Sequence, residues 1–453
     1  MNAEPQHIPP TLPSTFIEPT LLSMSETIGD IVMHCVMQLD THIDEALLKR
    51  AVRLSMDAEP IVGCTYVEGW WRGHWRRRTD LDTLTLVQVQ HTEDPTETLQ
   101  TFMAAPLDGR HQPMVDILVL RQSTHDVICL KIDHLIVDAG GIKDYVYMLF
   151  DLYRALQAGN TPHITPNIDG NRELDQLLKH LPLKWPGWHL FWHRTIKDIR
   201  QFFLPLRSWH ANLPRRPREQ RRYAIRVIEP PLFRKLKRYG KHHGATVNDV
   251  IVSAYFRALY AFLQPKKRVP LRMMNTVDLR RYLPTRQTGA LCNNSLFSYL
   301  NIGYDIGDSF EDTLGKVNSF MQTLKQEYIG LGDLAILPKA LRVMPHALSR
   351  KLSKYAFVLV TKLYPPAMTN MGQIDTTQLS FHGGAVENAF LTASILYPPG
   401  ILLGISGFGE QLTVTSGFCE TAISREQIDK LIDLFIQELD SLTIPDTSSV
   451  ETT

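Results

Sequence analysis

The stretch "LKIDHLIVDAGGIKDYVYMLFDLYRAL", Leu130 to Leu156, places His134 and Asp138 four residues apart where a strand-like alternation gives way to a helical spacing. Of the 17 histidines, only His134 has an aspartate at the fourth position after it. An imidazole titrates near neutrality, so one ring nitrogen can accept a proton while a partner holds the other. His134 is therefore a candidate general base. Asp138 is either that partner or the anchor of the loop through a distant arginine. The competing reading is a structural histidine, because buried polar groups usually find partners without doing chemistry.

The elements that must position this pair follow from periodicity. Val127, Cys129, Lys131 and Asp133 alternate on one strand face, with Ile128, Leu130, Ile132 and His134 on the other. Ile142, Tyr145, Val146, Leu149, Phe150, Tyr153 and Leu156 then repeat at helical spacing. The break is a short loop between two rigid elements, a frequent seat of function. Gly140 and Gly141 are expected to ease the turn into the helix.

Upstream, strands are expected at "DIVMHCVMQLD", "PIVGCTYVEGWW" and "TLTLVQVQ", and helices at "THIDEALLKRAVRLS" and "PTETLQTFMAAP". "PMVDILVLRQSTHDVICLKIDH" reads as two strands joined by a polar turn. A second mixed α/β pattern begins at Tyr223. It has a strand "YAIRVIE", helices "PLFRKLKRYGKHH" and "TVNDVIVSAYFRALYAFL", and strands "LRMMNTVDL" and "SLFSYLNIG". Helices through "SFEDTLGKVNSFMQTLKQE" and "DLAILPKALRVM" follow. Successive strands run from Ala389 to Cys419, before a last amphipathic helix from Ser424. Thr246, Asn248 and Asp249 are explained by capping.

With 453 residues, two lobes of roughly 200 residues each are expected. The division is a flexible arm over residues 1–15, a first lobe over 16–159, a connector over 160–222 and a second lobe over 223–453. The connector's Trp185, Trp188, Trp192, Phe202, Phe203 and Trp209 suit either packing across the lobes or contact with a membrane surface. Its Arg215, Arg216 and Arg218 suit a solvated linker or an acidic partner.

The charge balance, 48 Lys and Arg against 47 Asp and Glu, gives no sign of a nucleic-acid partner. Five scattered cysteines offer no zinc or disulfide spacing, and no apolar run is long enough to span a bilayer. The expectation is a cytoplasmic protein, with peripheral membrane contact left open. There is no G-x-S-x-G elbow and no phosphate loop. "GISGFG" at Gly404 lacks dinucleotide-site spacing.

"DHLIVDAGG" resembles the His-His-x-x-x-Asp-Gly signature of the condensation-domain and chloramphenicol-acetyltransferase-like acyltransferase superfamily. "TVNDVIVSAYFRALY", "MNTVDLRRYLP", "NNSLFSYLNIG" and "TNMGQID" resemble accompanying segments. The resemblance runs from about Asp30 to the last helix. It implies an α/β fold of two acetyltransferase-like lobes in a V-shaped pseudo-dimer, with an active-site tunnel at their junction.

It also implies transfer of an acyl group from a thioester of CoA or of a carrier protein to a small alcohol or amine, with no bound cofactor and no metal. His134 matches the catalytic histidine. Asp138 matches an aspartate that pairs with an arginine of the second lobe, here Arg280 in preference to its neighbour Arg281. Gly140 follows the signature position, which is Ala139 in this chain. Asp133 replaces the first histidine, and a carboxylate there is expected to raise the His134 pKa and lie against substrate. Asn370 and Gly372 match a segment that helps place the thioester. The altered Asp133 and Ala139 leave a second reading, a non-catalytic module that binds a carrier protein or another partner.

Overall fold

The computed structural model describes residues 7–174, 176–177, 209–214, 219–265, 268–326, 343–361 and 365–443. The expected helix "DLAILPKALRVM" lies outside these except for its last two residues, and Trp185 to Phe203 and Arg215 to Arg218 also lie outside them.

Two six-stranded sheets carry the architecture. The first runs, in spatial order, Ser380–Phe381, Gly384–Thr392, Val32–Leu39, Asp126–Asp133, Val115–Arg121 and Val87–His91. The second runs Ser295–Asn301, Arg272–Asp278, Ala367–Ile374, Leu402–Phe408, Gln411–Cys419 and Arg221–Ile228. Both are mixed: Val87–His91 pairs parallel to Val115–Arg121, and Ala367–Ile374 is parallel to both of its neighbours.

Alternation holds the strand that leads to His134. Ile128, Leu130 and Ile132 pack with Ile142, Tyr145 and Leu149 of helix Ala139–Gln157. Val127 and Cys129 face the other way, against Val36, Tyr223 and Cys419. All eight residues of the strand are buried. Burying one such aliphatic side chain stabilises by ~1.5–3 kcal/mol, so the register of this strand is set by both faces at once.

Several expectations need correction. The arm is not free along its described part: Thr11–Pro13 pairs with His74–Arg77, and Leu12 is buried opposite Trp75. "PIVGCTYVEGWW" is a strand only over Cys64–Val67, because Pro60–Gly63 forms a 3-10 turn and Trp70 and Trp71 stand exposed in a loop. Helices Glu18–Thr27 and His346–Thr361 are additional to those expected from the sequence. Their polar and apolar residues make sense only once the two helices are packed on each other, through Ser23 Oγ donating to Arg350 O at 2.9 Å.

The chain halves are also interlocked. Strand Gly384–Thr392, from the expected second lobe, adds to the first sheet by antiparallel pairing with Val32–Leu39. Around it, the Leu391 amide donates to Ser406 Oγ of the second sheet at 3.0 Å, and Thr392 Oγ1 bonds His34 Nδ1 at 2.7 Å.

Candidate active site at the junction of the two halves

Two aspartates frame the His134 loop. Asp133 ends the strand by turning its Oδ1 onto the Leu135 amide at 2.9 Å. Asp138 starts the helix, its Oδ1 accepting from the amides of Gly140 (3.1 Å) and Gly141 (2.9 Å). This is an N-cap, favoured for a short carboxylate beside unpaired helix amides. Between them Leu135, Ile136 and Val137 are buried. The loop is thus pinned at both ends and in the middle.

Within it, His134 Nδ1 lies 2.5 Å from Val137 O. A carbonyl only accepts, so Nδ1 carries the proton and Nε2 keeps its lone pair. Among the described residues Nε2 has no hydrogen-bond partner, and His134 retains some accessible surface. Asn293, reaching over from the other half, donates from Nδ2 to His134 O at 3.2 Å; the same atom stands 3.1 Å from Nδ1, an approach of two donors and not a hydrogen bond once Nδ1 holds its proton for Val137 O. Its Oδ1 is held by the Ser295 amide and hydroxyl, both at 3.2 Å. Burial pushes the His134 pKa below the ordinary 6.5, and the pull of Asp138 and of the Val137 carbonyl does not reverse this. The neutral imidazole is the form favoured near pH 7.

Asp138 does not touch the imidazole. Arg280 Nη1 meets its Oδ1 at 2.6 Å and Oδ2 at 2.8 Å, and the Asn294 amide donates to Oδ2 at 2.8 Å. Burial alone would raise this carboxyl. The Arg280 guanidinium and the surrounding amides outweigh it and hold Asp138 below the usual carboxylate range. Reciprocally, burial would lower Arg280, but Asp138 and Asp278 raise it. Arg280 Nη2 also donates to Cys292 O at 3.1 Å. The geometry therefore selects Arg280, while Arg281 is exposed and lies over the Tyr282 ring.

Gly140 has a different reason from the one expected. A Cβ there would stand 2.5 Å from Arg280 Nη1, so the site needs space for the guanidinium rather than backbone freedom. Asp133 also differs from expectation. It lines a cavity of about 190 Å³ between the halves, together with Asp30, Asp108, Arg110, Arg221 and Tyr397, and His134 is not part of that lining. Burial first, then Asp30 and Asp108, push its carboxyl up to about 7 against the pull of the Leu135 amide. It does not raise His134, whose pKa is lowered.

Asn370 and Gly372 sit at a bulge of strand Ala367–Ile374. Asn370 Nδ2 donates to Asn248 Oδ1 at 2.9 Å, and Gly372, at φ +72°, donates its amide to Asn370 Oδ1 at 3.0 Å. Asn248 thus braces Asn370, while the capping box of its helix belongs to Thr246 and Asp249 alone. Lys143 of helix Ala139–Gln157 reaches the bulge, donating to Met371 O (3.1 Å) and Gln373 O (3.2 Å). The segment is coupled to the site through that helix, and no hydrogen bond joins it to His134 among the described residues. Asn293 is the residue that sequence reasoning missed. "NNSLFSYL" was legible as a motif, but the direction of its first side chain was not.

Among the described residues, no cluster of three or more His, Cys, Asp or Glu can hold a metal ion.

No family model and no curated protein matches this sequence. Solved structures do. The trichothecene 15-O-acetyltransferase of Fusarium sporotrichioides superposes with a TM-score of 0.71 at 12% identity, covering 95% of this chain and 94% of that one. The first condensation domain of the calcium-dependent antibiotic synthetase, in complex with a substrate analogue, gives 0.68 at 16% identity, covering 95% of each chain. This chain has the fold of the condensation-domain and chloramphenicol-acetyltransferase-like superfamily. Polyketide synthase associated protein 5 from Mycobacterium tuberculosis is a further relative in shape, with a TM-score of 0.64 at 14% identity, covering 95% of this chain and all of that one. The two sheet-rich lobes of this condensation-like fold meet at the loop that carries His134.

Proposed function

We propose that the protein is an acyltransferase in which His134 Nε2 is the general base. The donor is an acyl thioester of CoA or of a phosphopantetheine carrier protein, and the acceptor is a small alcohol or amine. The observation that carries this reading is the 2.5 Å contact of Nδ1 with Val137 O, which calls the proton to Nδ1 and leaves on Nε2 a lone pair with no hydrogen-bond partner among the described residues. As the acceptor oxygen or nitrogen bonds to the thioester carbonyl carbon, its proton passes to Nε2. When the carbon–sulfur bond breaks, the imidazolium returns that proton to the departing thiolate. Asp138 and Arg280 act as positioning residues, since neither touches the ring.

The test is a mass-spectrometric transfer assay with a panel of acyl-CoAs and acyl carrier proteins against mixed alcohols and amines. His134→Ala is expected to lose on the order of 10²-fold or more in rate. The acid limb of the wild-type rate profile is expected below the ordinary histidine value of 6.5, because burial keeps the base neutral to lower pH. Equal product from both proteins would remove His134 as the base. No product across the panel, with a carrier protein still bound, would favour a non-catalytic module of the same fold.

A further inference from the structure

Of the ten large apolar side chains that stand exposed among the described residues, seven come from two short stretches: Trp70, Trp71, Val343, Leu348, Leu352, Tyr355 and Val358. Trp70 is 72% exposed and Tyr355 66%. Scattered single residues of this kind are ordinary, but a gathering is not. The two stretches are joined by backbone. Trp70 O accepts from the Ala347 amide at 3.1 Å and Trp71 O from the His346 amide at 3.0 Å. These are first-turn donors of helix His346–Thr361 that would otherwise lack partners. The Gly73 amide donates to His346 Nδ1 at 2.8 Å, and Arg72 donates to Met344 O at 3.2 Å. The paired tryptophans are therefore held beside the start of the helix, not loose at a loop tip.

The helix itself has two faces. Ser23 of helix Glu18–Thr27 donates to Arg350 O, Thr20 contacts Ser353, and Phe357 packs on the core, so that side is occupied. Leu348, Leu352 and Tyr355 follow one another at helical spacing on the outer side, continued by Val358. The stripe is about 15 Å long. Between Val343 and Thr361 the charged residues are Arg350, Lys351 and Lys354, with no carboxylate among them. Arg350 and Lys354 are tied to Glu26, and Arg350 also to Glu68. Lys351 is exposed, with no ion-pair partner among the described residues.

We propose that the Trp70–Trp71 loop and the outer face of helix His346–Thr361 form a docking surface for an anionic lipid membrane. Trp and Tyr favour the boundary between acyl chains and headgroups, where an apolar body and a polar tip are both satisfied. A helix lying flat there needs an apolar stripe and a flanking cation for acidic headgroups, and on this face Lys351 supplies it. A second copy of the chain is a poorer occupant, because a two-fold contact across this stripe would bring Lys351, which has no ion-pair partner among the described residues, toward its own equivalent. No helix among the described residues is long and apolar enough to cross a membrane. The inference stands independently of whether His134 transfers an acyl group.

The test is flotation of the full chain with vesicles of phosphatidylcholine alone and of phosphatidylcholine mixed with phosphatidylglycerol. Light scattering is run at the same protein concentration. The protein is expected to float with the anionic vesicles only, and less so at high salt. The pair Trp70→Ser and Trp71→Ser is expected to cut partitioning about tenfold or more, and Lys351→Glu to weaken it without a change in melting temperature. Absence of flotation with either vesicle would overturn the proposal. So would flotation that survives the tryptophan pair, and so would a dimer that the pair dissolves, which would assign the face to a second copy.

Discussion

At the residue scale, the two adjacent positions Asp133 and His134 meet opposite electrostatic fates for one reason. Burial disfavours the charged form of each, which lowers the histidine and raises the aspartate. For Asp133 the sign can be followed through. Burial pushes its carboxyl up to about 7 in the fold, against an ordinary 3.8. Between these values the folded chain holds a proton that the unfolded chain releases, so stability falls as pH rises across the window and the loss is complete above it. Asp133→Asn keeps an oxygen for the Leu135 amide and removes the charge. It is expected to melt higher than wild type at about pH 8, with a smaller gain at about pH 5. A gain that is the same at both pH values, or no gain, would show that the Asp133 carboxylate is not destabilised by its cavity.

At the scale of elements, the start of helix Ala139–Gln157 is a joint as much as a cap. Asp138 satisfies two helix amides, the Asn294 amide and the Arg280 guanidinium together. Arg280 fits only because Gly140 has no side chain. Helix propensity alone predicts that Gly140→Ala stabilises by roughly 0.5–1 kcal/mol. The 2.5 Å approach to a guanidinium pinned by Asp138 and Cys292 O predicts the reverse, a loss of about 1–3 kcal/mol. Chemical denaturation decides between them, since the two expectations differ in sign. Transfer activity should fall with the same substitution, because the displaced pair no longer fixes the loop.

At the scale of the whole molecule, the halves are not separable lobes joined at one hinge. Strand Gly384–Thr392 lies in the first sheet while the strand that follows it in the second, Leu402–Phe408, sits inside the other sheet, parallel to Ala367–Ile374 and antiparallel to Gln411–Cys419. The site is closed by residues from both, His134 and Asp138 from one half, Arg280, Asn293 and Asn294 from the other. Pulling the second half away would strip an inner strand from the first. Calorimetry is accordingly expected to show one cooperative unfolding transition, not two. Two resolved transitions would mean that the crossing strand contributes little to the first sheet's stability.

Local physics made much of this readable from the chain alone. The alternation of Val127 to Ile132 and the spacing from Ile142 to Leu156 are short-range patterns, and together they determined a strand, a loop and a helix with His134 at the break. Tertiary structure decided what such patterns do not encode. Arg280 and Arg281 are chemically identical neighbours, and only the path of the Leu279–Tyr282 turn selects one. Asn293 reaches His134 across 159 positions of chain. The raised pKa of Asp133 comes from burial in a cavity whose walls include Asp30, Asp108 and Arg221, and the need for Gly140 comes from a guanidinium 140 positions away. Each of these depends on which distant segments are packed together, a property of the closed fold and of no local stretch within it.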